Sequence, residues 1–219
     1  MKTLHTGAVL TTALLLCGCN PLMKASWDTF KASAQGPASL ELTPAQVAAV
    51  PYPQILVTTV TSEGVMAMAR RRGDLQFWLA SGNQVLLMRD GLVVRTVGLG
   101  VSLDGTRFDG ESPFKRGLQH LHDGHTSTRW IDIYQGYRVG LSVNSRFSRH
   151  DIEPIRILNR DYALLRIDEQ VAIPDLDFRA TNRYWVDPQD GFIMQSEQHL
   201  TPQIFLKIVQ LRPDREAVR

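Results

Sequence analysis

The sequence predicts a mainly β protein: a single antiparallel sheet with a few short helices. Three observations lead to this fold class. Short runs of β-branched and apolar residues recur along most of the chain, turn dipeptides such as Asp90-Gly91 separate them, and the helical signals are few and brief. The 219 residues contain no internal repeat and no composition break that marks a second globular domain.

Two short helices are predicted before the sheet. Residues 20–35 place apolar side chains at roughly helical spacing, and a Gly-Pro pair then interrupts the pattern. Thr43 and Pro44 suit the N-cap and the first position of a second helix that runs to Val50.

The first half of the domain reads as a meander of strands joined by tight turns. Ser81-Gly82-Asn83 and Asp90-Gly91 are typical hairpin turns between apolar runs. The predicted strands of this half cover residues 55–61, 65–69, 75–80, 84–88 and 92–97.

The second half resumes the strands after one more short helix. Ser112-Pro113 predicts the start of a helix that reaches about Leu121. After Gly136, apolar and polar residues alternate, as expected for a sheet with one face in water. The predicted strands of this half cover residues 128–135, 137–147, 164–171, 183–186, 192–199 and 204–211.

The N-terminus has the features of a lipoprotein export signal. Lys2 supplies a positive charge, and residues 7–16 form an apolar segment that is too short to cross a bilayer core of about 30 Å as a helix. A Leu-Cys-Gly-Cys motif follows at once and resembles the bacterial lipobox. We therefore predict cleavage between Gly18 and Cys19 and attachment of lipid to Cys19. A plain secretory signal and a short membrane anchor are the alternatives.

This processing site divides the chain into three parts. We expect residues 1–18 to be the signal peptide, residues 19–50 to be the lipidated N-terminus with short helices, and residues 51–219 to be the β-rich domain. Asn20 stands where an Asp retains lipoproteins in the inner membrane. By resemblance to that sorting rule, we expect a lipid-anchored protein on the periplasmic face of the outer membrane.

Charge and cysteine content exclude several other possibilities. The 24 Lys and Arg residues against 22 Asp and Glu leave a formal net charge of +2, which gives no electrostatic reason to expect nucleic acid as a partner. Cys17 lies in the predicted signal peptide and Cys19 would carry lipid, so we expect no intramolecular disulfide.

No residue pattern predicts an enzyme, a metal centre or another cofactor. His120, His122 and His125 lie within six residues and could bind a metal. The same histidines also suit a helix end followed by a polar turn, where cationic side chains complement the helix dipole. The serines lack a G-x-S-x-G setting. We therefore expect a non-enzymatic protein without a cofactor, with metal binding by the three histidines kept as an alternative.

The C-terminal part carries a likeness to a known family. Its landmarks are Asn182-Arg183-Tyr184-Trp185-Val186-Asp187, then Gly191, Ser196-Glu197-Gln198, Pro202 and a final Leu-Arg-Pro. Together with the lipobox and the segment that begins Pro51-Tyr52-Pro53, they resemble the YjbF/GfcB family of outer-membrane lipoproteins.

The resemblance implies a part in making or exporting an exopolysaccharide or group 4 capsule, with envelope proteins of an export system as partners. It also implies a curved, partly closed antiparallel sheet of the LolA/LolB type, with short helices in its concave side. Of the functional positions, it carries over Cys19 alone. The first hypothesis is a non-enzymatic accessory factor. A periplasmic lipid or lipoprotein carrier with an apolar cavity, and a hydrolase or metalloprotein that uses the histidine cluster, are the alternatives.

Overall fold

In the computed structural model, which describes residues 40–215, twelve strands form one antiparallel sheet. Within that part of the chain there are two short α-helices, α1 (Pro44–Ala49) and α2 (Pro113–Arg116), and 3₁₀ turns at Leu118–His120 and Pro174–Leu176. The strands are β1 (Gln54–Thr58), β2 (Glu63–Arg72), β3 (Leu75–Leu79), β4 (Val85–Arg89), β5 (Leu92–Val97), β6 (Leu103–Phe108), β7 (Thr126–Ile133), β8 (Arg138–Ile157), β9 (Arg160–Ile173), β10 (Phe178–Val186), β11 (Ile193–Thr201) and β12 (Ile204–Arg212).

The sheet is nearly closed into a barrel. Its strand order is β5-β4-β3-β2-β1-β12-β11-β10-β9-β8-β7-β6, so β1 pairs with β12, for example Leu56 with Val209. The two end strands, β5 and β6, lie beside each other. The backbone N–H of Leu103 donates to Thr96 Oγ1 across this seam at 2.9 Å. The predicted class, a mainly β protein with one curved and partly closed antiparallel sheet, is confirmed.

Side chains from all around the sheet fill its interior. One buried cluster includes Trp78, Leu86 and Ile208 of β3, β4 and β12. A second includes Phe114 of α2 and Leu118 of the following 3₁₀ turn, so the connection between β6 and β7 packs into the interior. Full burial of a large apolar side chain is worth about 1.5–3 kcal/mol, and filling the barrel in this way is therefore a main source of its stability.

Both predicted hairpin turns of the first half are confirmed by the backbone. Asp90 and Gly91 have φ of 51° and 82°, and Gly82 and Asn83 have φ of 84° and 63°. In the two-residue turn Asp90-Gly91, positive φ at both residues is typical of a type I′ turn, whose twist matches that of the paired strands. Ser81-Gly82-Asn83 is a three-residue loop, in which the Ala80 N–H donates to the Gln84 carbonyl at 3.0 Å. Glycine is required at position 91 for a second reason, because a Cβ there would lie 2.6 Å from Ile193 Cδ1.

The predicted helices are shorter or interrupted. Helix α1 is confirmed, and Thr43 and Gln46 form a reciprocal capping box at its start. The helix predicted after Ser112 divides at Gly117, whose φ of 88° separates α2 from the 3₁₀ turn. The helix predicted over residues 20–35 lies outside the described residues. Between residues 40 and 215 no helix has the length and apolar character needed to cross a membrane.

The strand predictions differ from the structure mainly in the second half. Strand β8 runs on to Ile157, whereas the prediction ends it at residue 147, because polar residues and Pro154 follow and obscure the strand pattern. No strand is predicted over β6, where Asp104 and Gly105 have low strand propensity. Pairing with β7 nevertheless holds β6 in the sheet.

Thr96 provides a test of the seam. Its side chain is buried, and Thr96→Val keeps its shape while removing the acceptor for the Leu103 N–H. A buried donor left unpaired costs about 1–3 kcal/mol, so we expect the free energy of unfolding in urea to fall by about that amount. Thr128→Val, at an exposed position of β7, is the control and should change it by less than about 0.5 kcal/mol. Equal effects at both positions would contradict a role for this bond in closing the barrel.

Candidate functional site

Cleavage after Gly18 and lipid attachment at Cys19 lie outside the described residues and stay predictions. Polar side chains converge at several places between residues 40 and 215, and two of these are candidates for a functional site. One is the interior of the barrel, and the other is one of its ends.

The predicted histidine cluster is only partly assembled. The rings of His122 and His125 meet edge to face with centroids 5.2 Å apart, whereas His120 Nε2 lies 3.1 Å from the amide nitrogen of Gln119. Burial lowers the pKa of His125, and the charges of His122 and Arg116 lower it further. Among the described residues no group of three or more His, Cys, Asp or Glu side chains is arranged to hold a metal ion.

A buried ion pair lies inside the barrel, among side chains that are mainly apolar. Arg129 of β7 and Glu169 of β9 form this pair across β8, with side-chain exposures of 4% and 0%. Side chains two residues apart in a strand point to the same face of the sheet. Arg129 therefore shares the inward face of β7 with the buried Ile131, and Glu169 shares the inward face of β9 with the buried Ile167. Between them, the Ser145 hydroxyl of β8 accepts from Arg129 Nη1 at 3.0 Å.

The carboxylate of Glu169 is fully occupied by donors. Its Oε1 accepts from Arg129 and from the Ser145 hydroxyl, the latter at 2.6 Å. Its Oε2 accepts from Asn182 Nδ2 and from the Tyr184 hydroxyl, both at 2.9 Å. An ionised carboxylate has about four acceptor positions, and donors from three neighbouring strands fill them. We call these five residues the Glu169 cluster.

The cluster keeps Glu169 ionised. Burial by itself would raise the pKa of this carboxyl, but the charge of Arg129 and the hydrogen bonds from Ser145 and Arg129 outweigh burial and hold the pKa below its ordinary value. Burial and the adjacent carboxylate raise the pKa of Tyr184 well above its usual range, so the phenol stays a donor. The acceptor positions of this carboxylate are occupied by donors and shielded from solvent, so the cluster is a fixed part of the packed interior.

Polar contacts continue from the cluster to the opposite side of the barrel. Asn182 Oδ1 accepts from the backbone N–H of His199 at 2.7 Å. The preceding residue, Gln198, accepts from the N–H of Val93 at 3.0 Å and donates to the carbonyl of Gly91 at 2.9 Å. Gln198 therefore ties β11 to β5 and to the turn before it, across the interior.

The sequence contains a signal for the Glu169 cluster that the prediction did not use. Arg129 stands two residues before Ile131, and Glu169 stands two residues from both Ile167 and Val171. A charged residue on the apolar side of an alternating strand must be paired if that strand is correctly assigned. The pairing itself joins residues 40 positions apart and depends on the order of the strands.

One end of the barrel carries a polar cleft. Its larger cavity, of about 660 Å³, is lined by the β2–β3, β4–β5 and β10–β11 turns, by α2 and by the segment after β12. A second cavity of about 380 Å³ adjoins it, and Asp74, Asp90 and Lys115 line both. Cavities of roughly 300–1,000 Å³ are typical of small-molecule sites. We call the two cavities together the end cleft.

Several charged side chains of the end cleft are paired with carboxylates. Arg71 Nη2 lies 2.7 Å from Asp214 Oδ2, and Arg215 Nη1 lies 3.1 Å from Asp187 Oδ2. The Arg215 guanidinium also covers the ring of Phe192, 4.4 Å from its centroid. The cleft therefore presents both hydrogen-bond donors and acceptors next to an aromatic surface.

Comparison with known proteins finds relatives that cover most of the chain. The family model for the group 4 capsule polysaccharide lipoprotein GfcB, YjbF matches residues 27–211. The chain is 25% identical over 192 residues to the uncharacterized lipoprotein GfcB of Escherichia coli strain K12, which covers 86% of this chain and 88% of that protein. The crystal structure of the hypothetical lipoprotein YmcC from E. coli K12 matches with a TM-score of 0.72 at 24% identity, covering 86% of this chain and 96% of that one. This last match supports the barrel fold.

Removing Glu169 alone should destabilise the barrel strongly. Glu169→Gln leaves the buried charge of Arg129 without its counter-ion, and we expect the free energy of unfolding in urea to fall by about 3–5 kcal/mol. The double variant Arg129→Met/Glu169→Leu removes both charges and should recover part of this loss, the remainder reflecting the buried donors of Ser145, Asn182 and Tyr184 that then lack their acceptor. Glu197→Gln, which breaks a partly exposed pair with Arg183, is the control and should cost about 1 kcal/mol or less. Losses of similar size at Glu169 and Glu197 would contradict the importance of burial.

The same pair should make stability sensitive to acid. The pKa of Glu169 lies below the ordinary 4.5 in the folded protein, so the unfolded chain takes up this proton first as the pH falls. The contribution of Glu169 is complete above about pH 4.5 and is lost as the pH falls through the folded-state pKa. Between about pH 6 and pH 3, the free energy of unfolding should therefore decrease more steeply in the wild type than in the double variant. If the plots of unfolding free energy against pH were parallel for the two proteins, Glu169 would have the same pKa in the folded and the unfolded chain, which would contradict this prediction.

Proposed function

Because the chain belongs to the YjbF/GfcB family of group 4 capsule polysaccharide lipoproteins, we propose that it is a non-enzymatic accessory factor in the production or export of an extracellular polysaccharide. The family resemblance predicted from the C-terminal landmarks is thereby confirmed. The match over residues 27–211 carries the proposal, since it spans nearly all of the predicted mature chain.

The lipobox supplies the proposed location. Lipid on Cys19 would hold the barrel at a membrane surface, and two or more acyl chains anchor a protein stably at about 0.8 kcal/mol per buried CH₂. Asn20, in place of a retaining Asp, supports transfer to the outer membrane. The protein would then act on the periplasmic face, beside envelope proteins of a polysaccharide export system.

The side chains of the barrel support a binding or scaffolding role. Glu169 and Arg129, the most deeply buried charged groups of the described chain, are saturated by each other and by their neighbours. In the histidine cluster, His120 is turned to Gln119 and away from the His122–His125 pair. Neither group has the geometry of a general base aimed at a substrate.

The packed interior argues against the alternative of a lipid carrier. A carrier needs an open apolar cavity to enclose acyl chains. Within the described barrel, Trp78, Leu86 and their neighbours occupy the interior on one side, and the Glu169 cluster occupies the other. An acyl chain could enter only by displacing packed apolar side chains or by lying against a buried ion pair, and both are costly.

Deletion of the gene in its natural host tests the proposed function. Surface polysaccharide should fall severalfold under inducing conditions, while nucleotide-sugar precursors stay at their wild-type level, because the protein acts after precursor synthesis. The polysaccharide is measured after extraction from washed cells, and the precursors by mass spectrometry. Unchanged surface polysaccharide in the deletion strain would overturn the proposal.

Complementation of that strain separates the anchor from the fold. Cys19→Ser removes the thiol that accepts lipid, so this variant should be missing from the outer-membrane fraction and should not restore the polysaccharide. Cys17→Ser, two residues away in the predicted signal peptide, is the matched control and should restore it fully. Recovery of Cys19→Ser protein in the outer-membrane fraction would contradict the lipid anchor.

A further inference from the structure

We propose that the end cleft binds a segment of a hydroxyl-rich saccharide chain. This inference rests on the proposed function for the class of ligand, and it adds the site at which the protein would contact the polysaccharide. It is carried by buried polar atoms that line the cleft and have no hydrogen-bond partner within residues 40–215.

Gln210 of β12 is the clearest of these groups. The residue is 5% exposed and lines the larger cavity, and its Oε1 has no hydrogen-bond partner in the described part of the chain. It continues the inward face formed by Ile204, Leu206 and Ile208, where a fourth apolar side chain would pack as well. An unpaired buried acceptor costs about 1–3 kcal/mol. An amide at this position is therefore explained by a donor that reaches it through the cleft.

Other unpartnered atoms around the cleft supply both kinds of hydrogen-bonding group. Gln119 Oε1 and Asp90 Oδ2 are acceptors, and Arg215 Nε and Nη2 are donors, all without partners among the described residues. In the smaller cavity, the hydroxyl of Thr106 also has no hydrogen-bond partner among the described residues. Each sugar hydroxyl can donate and accept, so neighbouring hydroxyls match this mixture, whereas an acyl chain would leave every one of these atoms unpaired.

The Gln119 amide lies in space that two glycines leave open. A Cβ at Gly117 would lie 2.6 Å from Gln119 Oε1, and a Cβ at Gly191 would clash with the same amide. Both glycines have positive φ, of 88° and 78°, so the backbone on either side is shaped to leave room for this side chain. A protein side chain that already lies in its binding position loses less conformational entropy when the ligand binds.

The charge arrangement favours a ligand rich in hydroxyls over a small free anion. Two arginines that line the larger cavity, Arg71 and Arg215, already have the carboxylates of Asp214 and Asp187 as counter-ions. A phosphate would have to compete with these carboxylates, while a hydroxyl can hydrogen-bond beside them. The ring of Phe192, one face of which the Arg215 guanidinium covers, adds apolar surface to the lining for the C–H groups of a sugar.

The shape of the cleft favours a chain over a single sugar. The two cavities share Asp74, Asp90 and Lys115, so they adjoin at a common wall, and each also has lining residues of its own. Unpartnered acceptors and donors are found along both, from Gln210 in the larger to Thr106 in the smaller. Successive sugar residues could therefore occupy them in turn.

Glycan binding by the full-length lipoprotein tests the site. The protein, purified in a detergent without a sugar head group, is applied to an array of defined neutral and acidic bacterial oligosaccharides, and calorimetry gives the Kd of the best ligand. We expect wild-type protein to bind at least one oligosaccharide of two or more residues. Gln210→Leu and Asp90→Asn should each raise its Kd by about tenfold or more. Asn tolerates the positive φ at position 90, so the turn should persist.

Gln203→Leu is the matched control, because it makes the same change in the β11–β12 turn, outside the end cleft. It should leave the Kd unchanged. Gln210→Leu removes an unpartnered buried group, so its urea stability should equal or exceed that of the wild type, which separates lost binding from lost folding. Should Gln210→Leu fail to fold, Asp90→Asn decides the question.

Three outcomes would overturn the saccharide site: no glycan bound by the wild type at about millimolar concentration, unchanged Kd values in the folded cleft variants, or displacement of the bound glycan by palmitate. The test is independent of the gene deletion. If Gln210→Leu fully restored the polysaccharide in the deletion strain, the cleft would not be needed for polysaccharide production. The proposed function of the protein would still stand. Glycan binding without any deletion phenotype would support the site and refute the function.

Discussion

The carboxylate of Glu169 is the group around which the interior of the barrel is arranged, because an ionised side chain that a closed sheet turns inward needs both a counter-ion and hydrogen-bond donors. Arg129 and Ser145 reach it from one side, and Asn182 and Tyr184 from the other. Since side chains alternate with a period of two, a one-residue slip of β9 would move Glu169 outward and leave Arg129 buried without a counter-ion. The pair therefore specifies the register of β7 to β10, even where its net contribution to stability is small.

The parts of the fold that could be predicted from the sequence are those with local causes. The turn at Asp90-Gly91 needs positive φ at both positions, and the residues that tolerate it stand there. Strands β6 and the far half of β8 have no such local cause, because Asp104 and Pro154 disfavour strands and are held by their neighbours. The strand patterns alone do not predict closure, which was expected only from the family resemblance, because closure depends on the pairing of β1 with β12 in the middle of the sheet and on the approach of its end strands, β5 and β6.

The candidate site shows the same limit more clearly. His120, His122 and His125 suggested a metal because they are close in sequence, yet closeness in sequence does not bring ligating atoms together around one point. The polar groups of the end cleft come from elements that are far apart in the chain. Gln119 follows α2 and Gln210 lies near the end of β12, and the closed strand order brings them to one cavity. The sequence signal for these groups is a polar residue at a position where the alternation of the strand calls for an apolar one. Gln210, on the apolar face of β12, is an example.

The interior and the end cleft are physically connected through Gln198. Its amide binds the carbonyl of Gly91, in the turn that also carries Asp90 into the cleft. The next residue, His199, is bound through its backbone N–H by Asn182 of the Glu169 cluster. Hydrogen bonds thus lead from the buried carboxylate to the wall of the cleft. A hydroxyl-rich ligand is recognised by donors and acceptors in fixed positions, so a proposed saccharide site gains from this bracing. A carrier of acyl chains would instead need an interior that opens, which a barrel tied together at Glu169 and Gln198 resists.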